Sequence, residues 1–170
     1  MNKYNWPLSI SSFSLWDKLQ VAWFILTSDR YTMGENVQKL ENELADRSGG
    51  YYCLLTSSGS TAISLLAETW KQINQEKFER TVVICPACTW STSISCWLLA
   101  SYEVRFCDIN LDDFSFNYEK LERIIKQEIN NYNHVILWPT SLLGFVPDIQ
   151  RLKFLATEYG CDLWMDCAEA

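Results

Sequence analysis

The sequence has little of what would bring it to nucleic acid, a metal or a membrane. It carries one histidine, His134, and 14 Lys plus Arg against 21 Asp plus Glu, for a formal net charge of −7. Nucleic acid and anionic membranes recruit basic surfaces, so the balance argues against both as partners. Small anions are a different matter, because backbone amides hold them without net positive charge. The longest apolar run, residues 21–26, falls far short of the roughly 20 residues that a spanning helix needs. Residues 1–12 contain one lysine and no apolar stretch, unlike a secretory leader, so the expectation is a cytoplasmic protein.

Cysteine is plentiful: Cys53, Cys85, Cys88, Cys96, Cys107, Cys161 and Cys167. An odd number without a secretion signal suits free thiols in a reducing compartment. Cys85-Pro86-Ala87-Cys88 is the one spacing with a redox or zinc reading. Zinc would need a second pair or a nearby histidine, and His134 sits in an apolar, strand-like run, so no metal site is expected. A thioredoxin-like pair at a helix start competes with a simpler role for these thiols as small buried hydrophobes.

A hydrophobic fraction of 48% supports a packed core rather than disorder. Residues 35–48 carry Val37, Leu40, Leu44 and Ala45 at helical spacing, stopped by Gly49-Gly50. Residues 51–56 read as a short strand, and Ser57 to Thr61 as a turn opening a helix over 61–76. Strands follow at 81–85, 104–107, 134–138 and 161–165. Helices lie between them at 91–101, 117–129 (capped by Asn117) and 149–159 (capped by Asp148, stopped by Gly160). Alternating strands and helices with near-continuous apolar strands predict an α/β fold: a mostly parallel sheet with flanking helices. Residues 1–33 read as an N-terminal arm with a short amphipathic helix (Leu15, Leu19, Ala22, Trp23, Leu26), and residues 34–170 as one α/β domain. No helix follows the last strand, so the domain reads as truncated.

Ligands of such sheets bind where strands end and helices begin, which singles out three loops. Ser58-Gly59-Ser60-Thr61 suits a phosphate, through amides and the positive helix end, or equally an ordinary Ser/Thr cap. Trp90, just past a strand and a proline, either covers a flat ring or belongs to the core. Asp166 ends an apolar strand, where a carboxylate is costly without a cation or donors opposite; it either serves a ligand or caps a following helix.

The motifs occur in the order of one family. Tyr31-Thr32-Met33-Gly34, Leu40-Glu41, Ser58-Gly59-Ser60-Thr61-Ala62, Pro86 to Thr92, Asp108-Ile109-Asn110-Leu111-Asp112, Leu143-Gly144, Pro147-Asp148 and Asp166-Cys167-Ala168-Glu169-Ala170 together resemble DegT/StrS-type sugar aminotransferases. The resemblance implies the large domain of a fold-type-I enzyme dependent on pyridoxal 5'-phosphate (PLP). Gly59, Ser60 and Thr61 would then hold the cofactor phosphate, Trp90 would stack on the ring, and Asp166 would pair with the pyridine nitrogen. Glu169 would lie near the ring hydroxyl, as in the branch of lipopolysaccharide-type sugar enzymes. The implied partners are a nucleotide-linked keto-sugar and an amino donor, in a homodimer. The family's Schiff-base lysine and small C-terminal domain follow the Asp166 motif. The later lysines here (Lys71, Lys77, Lys120, Lys126, Lys153) fall on helix patterns with solvent-like spacing, so the chain alone is expected to be inactive. Two alternatives stand beside the aminotransferase: a pyridoxamine-phosphate-dependent keto-deoxysugar 3-dehydratase on the same scaffold, and a non-catalytic α/β binding module.

Overall fold

The computed structural model describes residues 12–169. The first eleven residues of the expected arm, and Ala170, lie outside them. The chain divides between Leu55 and Thr56 into two compact units.

The described residues of the first unit form two helices. Helix α1 (Leu15–Thr27) begins with a reciprocal cap: the Asp17 N–H donates to Ser14 Oγ at 3.2 Å, and the Ser14 N–H donates to the Asp17 carboxylate at 2.7 Å. Two otherwise unpaired amides are thereby satisfied. Most of its apolar residues stay exposed, Trp16 and Trp23 among them. Helix α2 (Glu35–Ser48) stops at Gly49, whose φ of 69° lies in the left-handed region that glycine enters without strain. The strand expected over residues 51–56 does not form. β-propensity needs a neighbouring strand to act, and none pairs with this segment among the described residues. Within the first unit the segment is held by the Leu55 N–H, which donates to the Glu41 carboxylate at 2.8 Å.

The second unit is the α/β layer structure. Helix α3 (Gly59–Ile73) and the short α4 (Gln75–Phe78) replace the single helix expected over 61–76. There follow β1 (Thr81–Pro86), α5 (Ser91–Leu99), β2 (Glu103–Cys107), α6 (Tyr118–Asn131), β3 (His134–Leu137), a 3₁₀ turn (Leu142–Gly144), α7 (Ile149–Tyr159) and β4 (Asp162–Leu163). The sheet order is β2-β1-β3-β4, every pair parallel. The last strand is shorter than expected. Past Leu163, a parallel bridge joins Asp166 to Thr140.

Strand periodicity assigns the two cores. Val82, Ile84, Val135 and Leu137 face Leu121 and Ile125 of α6 and Leu152 and Leu155 of α7. The alternate residues Val83, Cys85 and Ile136, with Trp138, face Ile63 and Ala67 of α3 and Ile94 and Trp97 of α5. All six residues of β1 are buried, which only a strand covered on both faces permits. Burial of each large apolar side chain contributes about 1.5–3 kcal/mol. Asn117 and Asp148 cap α6 and α7, accepting from the Lys120 and Arg151 N–H groups, and Gly160 ends α7 with φ 67°.

Candidate functional site

In the order β2-β1-β3-β4, the chain leaves β1 through α5 to one side and later returns to β1's other side as β3. The loops after β1 and β3 therefore diverge, and the C-terminal edge opens between them into a crevice. The Thr89 hydroxyl from the β1 loop donates to Thr140 Oγ1 from the β3 loop at 2.8 Å, tying the crevice floor. Asp166 arrives beside Thr140. Its N–H donates to the Pro139 carbonyl at 3.0 Å, and its carbonyl accepts from the Ser141 N–H at 2.9 Å. The backbone of Asp166 is thus held as part of the sheet, although the strand proper has ended.

The Asp166 carboxylate has two donors. Ser93 Oγ, in the first turn of α5, donates to Oδ2 at 2.6 Å, and the Ala168 N–H donates to Oδ1 at 3.1 Å. Ser93 is only 2% exposed, so its hydroxyl has little freedom to turn elsewhere. A bond to an ionised acceptor in such a place is among the stronger kinds.

A cavity of about 180 Å³ opens at this edge. That is below the roughly 300–1,000 Å³ of drug-sized pockets, so it suits one small molecule. Gly59, Ser60 and Ile63 of α3 line one end; Trp90, Thr92 and Ser93 line a second side; Thr140, Leu142, Asp166, Ala168 and Glu169 close the rest. Five of the six residues singled out from the sequence, Gly59, Ser60, Trp90, Asp166 and Glu169, meet here. Thr61 is not in the lining. Its N–H donates to Ser58 Oγ at 3.2 Å, and its hydroxyl lies 2.9 Å from Ser58 Oγ and 3.2 Å from Ser57 Oγ. The ordinary cap is therefore present, and it spends Thr61 while Gly59 and Ser60 border the cavity. The Glu169 carboxylate accepts the Leu143 N–H rather than standing free. Ser93 and Thr140 were not evident from the sequence, where each is one hydroxyl among many. The available signal was Ser93's place one helical step beyond Trp90.

The electrostatics of the lining are one-sided. Among the described residues it holds two carboxylates and no Lys, Arg or His. Backbone amides and the N-terminal ends of α3 and α5 supply positive partial charge at its edge. Such a pocket suits an anionic group at α3 and a cationic or protonated heteroatom at Asp166, with the exposed Trp90 indole at the side for a flat ring. PLP has this composition: a phosphate, an aromatic ring and a basic ring nitrogen.

The other candidates lie elsewhere. His134, at the opposite end of β3, lies 2.9 Å from the Asp162 carboxylate and stacks on Trp70 with centroids 4.8 Å apart. No group of three or more potential metal ligands gathers among the described residues. Cys85 is buried in β1, and burial pushes its thiol up to about 12, so it is a poor partner for the exposed Cys88. Maleimide at neutral pH is accordingly expected to label Cys88 and Cys167 well before Cys85, a ranking that peptide mapping reads directly; early Cys85 labelling would reopen the redox reading. Since 12 lies above the thiol's ordinary 9.0, the unfolded chain binds fewer protons between those values, and this site's contribution to stability is lost as pH rises through that window.

Comparison with known proteins follows the same lines. Residues 17–170 match the model of the DegT/DnrJ/EryC1/StrS aminotransferase family. A GDP-4-keto-6-deoxy-D-mannose 3-dehydratase from Yersinia pseudotuberculosis is 34% identical over 127 residues, covering 73% of this chain and 32% of the relative. A UDP-2-acetamido-2-deoxy-3-oxo-D-glucuronate aminotransferase from Pseudomonas aeruginosa is 24% identical over 146 residues, covering 86% and 38%. The chain thus spans about a third of the length of these curated relatives. Among solved structures, an E. coli GDP-4-keto-6-deoxy-D-mannose-3-dehydratase with bound hydrated PLP superposes with a TM-score of 0.83 at 24% identity, over 96% of this chain and 41% of that one.

Proposed function

Since this chain belongs to the DegT/DnrJ/EryC1/StrS aminotransferase family, we propose that its cavity is the cofactor pocket of a PLP-dependent enzyme acting on a nucleotide-linked keto-sugar. The observation that carries the reading is Asp166: a carboxylate fixed by Ser93 and Ala168 in a pocket whose described lining residues supply no cation. A protonated ring nitrogen completes it. When bound, PLP supplies an electron sink, which works only while that nitrogen keeps its proton. Asp166 holds the proton there, Gly59 and Ser60 take the phosphate at the start of α3, where the cap leaves Thr61 out of the cavity, and Trp90 covers the ring. In this reading the intact protein is a cytoplasmic homodimer that also takes an amino donor.

Two activities fit this scaffold. The aminotransferase reading draws on the family as a whole. The keto-deoxysugar 3-dehydratase reading, with pyridoxamine phosphate, draws on the higher identity to dehydratases, 34% against 24% for the aminotransferase. Incubating the full-length enzyme with a GDP-linked 4-keto-sugar, PLP and glutamate separates them: one product carries an amino group, the other has lost a hydroxyl.

The 170-residue chain is itself expected to bind PLP without turning substrate over. Among the described residues, no lysine lines the cavity. The candidates are engaged elsewhere: Lys71 with the Ala100 carbonyl, Lys120 with Asp108 and Lys126 with Glu122. Lys77 and Lys153 lie on α4 and α7. Titration with PLP should quench tryptophan fluorescence saturably, and borohydride should fix no cofactor to lysine. Absence of saturable quenching at millimolar PLP, or a stoichiometric lysine adduct, would refute this account.

A further inference from the structure

We infer that Glu169 is a positioning residue: it pins the Leu142–Gly144 turn as one wall of the cavity, with its carboxylate committed to a backbone amide rather than to the ring oxygen of a ligand. Two observations meet on this turn. Leu143 and Gly144 take φ of 56° and 82°, two successive residues in the left-handed region. A leucine does not settle there without compensation. The turn satisfies two of its own donors, with the Gly144 N–H donating to the Ser141 carbonyl at 3.3 Å and the Phe145 N–H to the Leu142 carbonyl at 3.1 Å. The Leu143 N–H between them donates instead to the Glu169 carboxylate.

The second observation is backbone proximity. A Cβ built on Gly144 would lie 3.2 Å from the Glu169 carbonyl oxygen. Glycine at this position therefore serves both a positive φ and a close approach, and Glu169 meets the turn with its side chain and its main chain. Leu142 and Glu169 both line the cavity, so a fixed turn is a fixed wall.

This arrangement also answers an electrostatic difficulty. A carboxylate aimed at the anionic oxygen of a phenolic ring would repel it. With one oxygen held by Leu143, the Glu169 charge is directed into the turn. This last step rests on the cofactor reading above; the pinning of the turn does not.

The test uses the cofactor-free protein and two variants. Glu169→Gln keeps a carbonyl acceptor of the same reach, and Glu169→Ala removes it; Glu169 is exposed, so neither touches the core. Loss of one hydrogen bond should speed amide exchange at Leu143 about fivefold in the alanine variant, with the glutamine variant within about twofold of the parent. Titrated with PLP, the alanine variant should bind about fivefold more weakly and the glutamine variant like the parent. Unchanged Leu143 exchange in Glu169→Ala, or glutamine behaving like alanine, would overturn the assignment. If exchange follows expectation while the parent fails to bind PLP, the pinned turn stands and the cofactor reading falls.

Discussion

Replacing Asp166 by asparagine is expected to lower turnover of a nucleotide-linked keto-sugar by about 10²–10³-fold in the full-length enzyme, while its melting temperature stays nearly unchanged. The substitution separates charge from structure. Asparagine keeps a carbonyl oxygen for the Ala168 N–H, its amide NH2 donates to Ser93 Oγ where the second carboxylate oxygen had accepted, and the backbone bonds to Pro139 and Ser141 stay in place. What disappears is the negative charge that faces the ring nitrogen. A ligand nitrogen opposite a neutral amide has no reason to stay protonated, and the electron sink weakens. Asp166→Ala should lose comparable activity but also leave Ser93 Oγ buried without its acceptor, at a cost of about 1–3 kcal/mol. Ser93→Ala keeps the charge and loses its aim, so its effect should be smaller, about tenfold. Steady-state kinetics beside thermal melts distinguish the three; full activity in Asp166→Asn would sink the PLP reading of this site.

The layer order was legible in the sequence because doubly buried strands leave a distinctive trace. Residues 82–85 and 135–137 are runs of apolar side chains in which odd and even positions both find cores. The caps at Asn117 and Asp148 and the stops at Gly49 and Gly160 were legible too, since each needs only local chemistry. Residues 51–56 misled for the opposite reason: a strand is a relation between segments, and a favourable composition does not supply the neighbour. The site divided along the same line. Ser60, Trp90 and Asp166 stand at element boundaries, where sequence patterns are strongest. The contact between Ser93 and Asp166 spans 73 positions, and the one between Glu169 and Leu143 spans 26, so only the fold could reveal them. Ser101 carries a φ of 67° after α5, a left-handed position that serine's identity does not announce.

The largest effect on stability is expected at Trp97. It is fully buried between α5 and the sheet, with ring centroids 5.1 Å from both Tyr102 and Trp138 in edge-to-face geometry and 5.8 Å from Trp164. Trp97→Ala removes the centre of this cluster, and its neighbours are themselves large rings that cannot collapse into the gap. Such truncations cost about 3–5 kcal/mol, against a total of roughly 5–15 kcal/mol for an ordinary domain. A urea titration followed by far-UV circular dichroism should show the midpoint falling steeply with little change in slope. Trp97→Phe sharpens the argument. The indole Nε1 of Trp97 finds no protein acceptor among the described residues, so phenylalanine gives up packing area but no hydrogen bond. Its cost should be about 1–2 kcal/mol, well below the alanine value. A phenylalanine variant as unstable as alanine would mean that the indole N–H matters and that the packing account of this core is incomplete. An alanine variant within about 1 kcal/mol of the parent would mean that the aromatic cluster is not what holds α3 and α5 to the sheet.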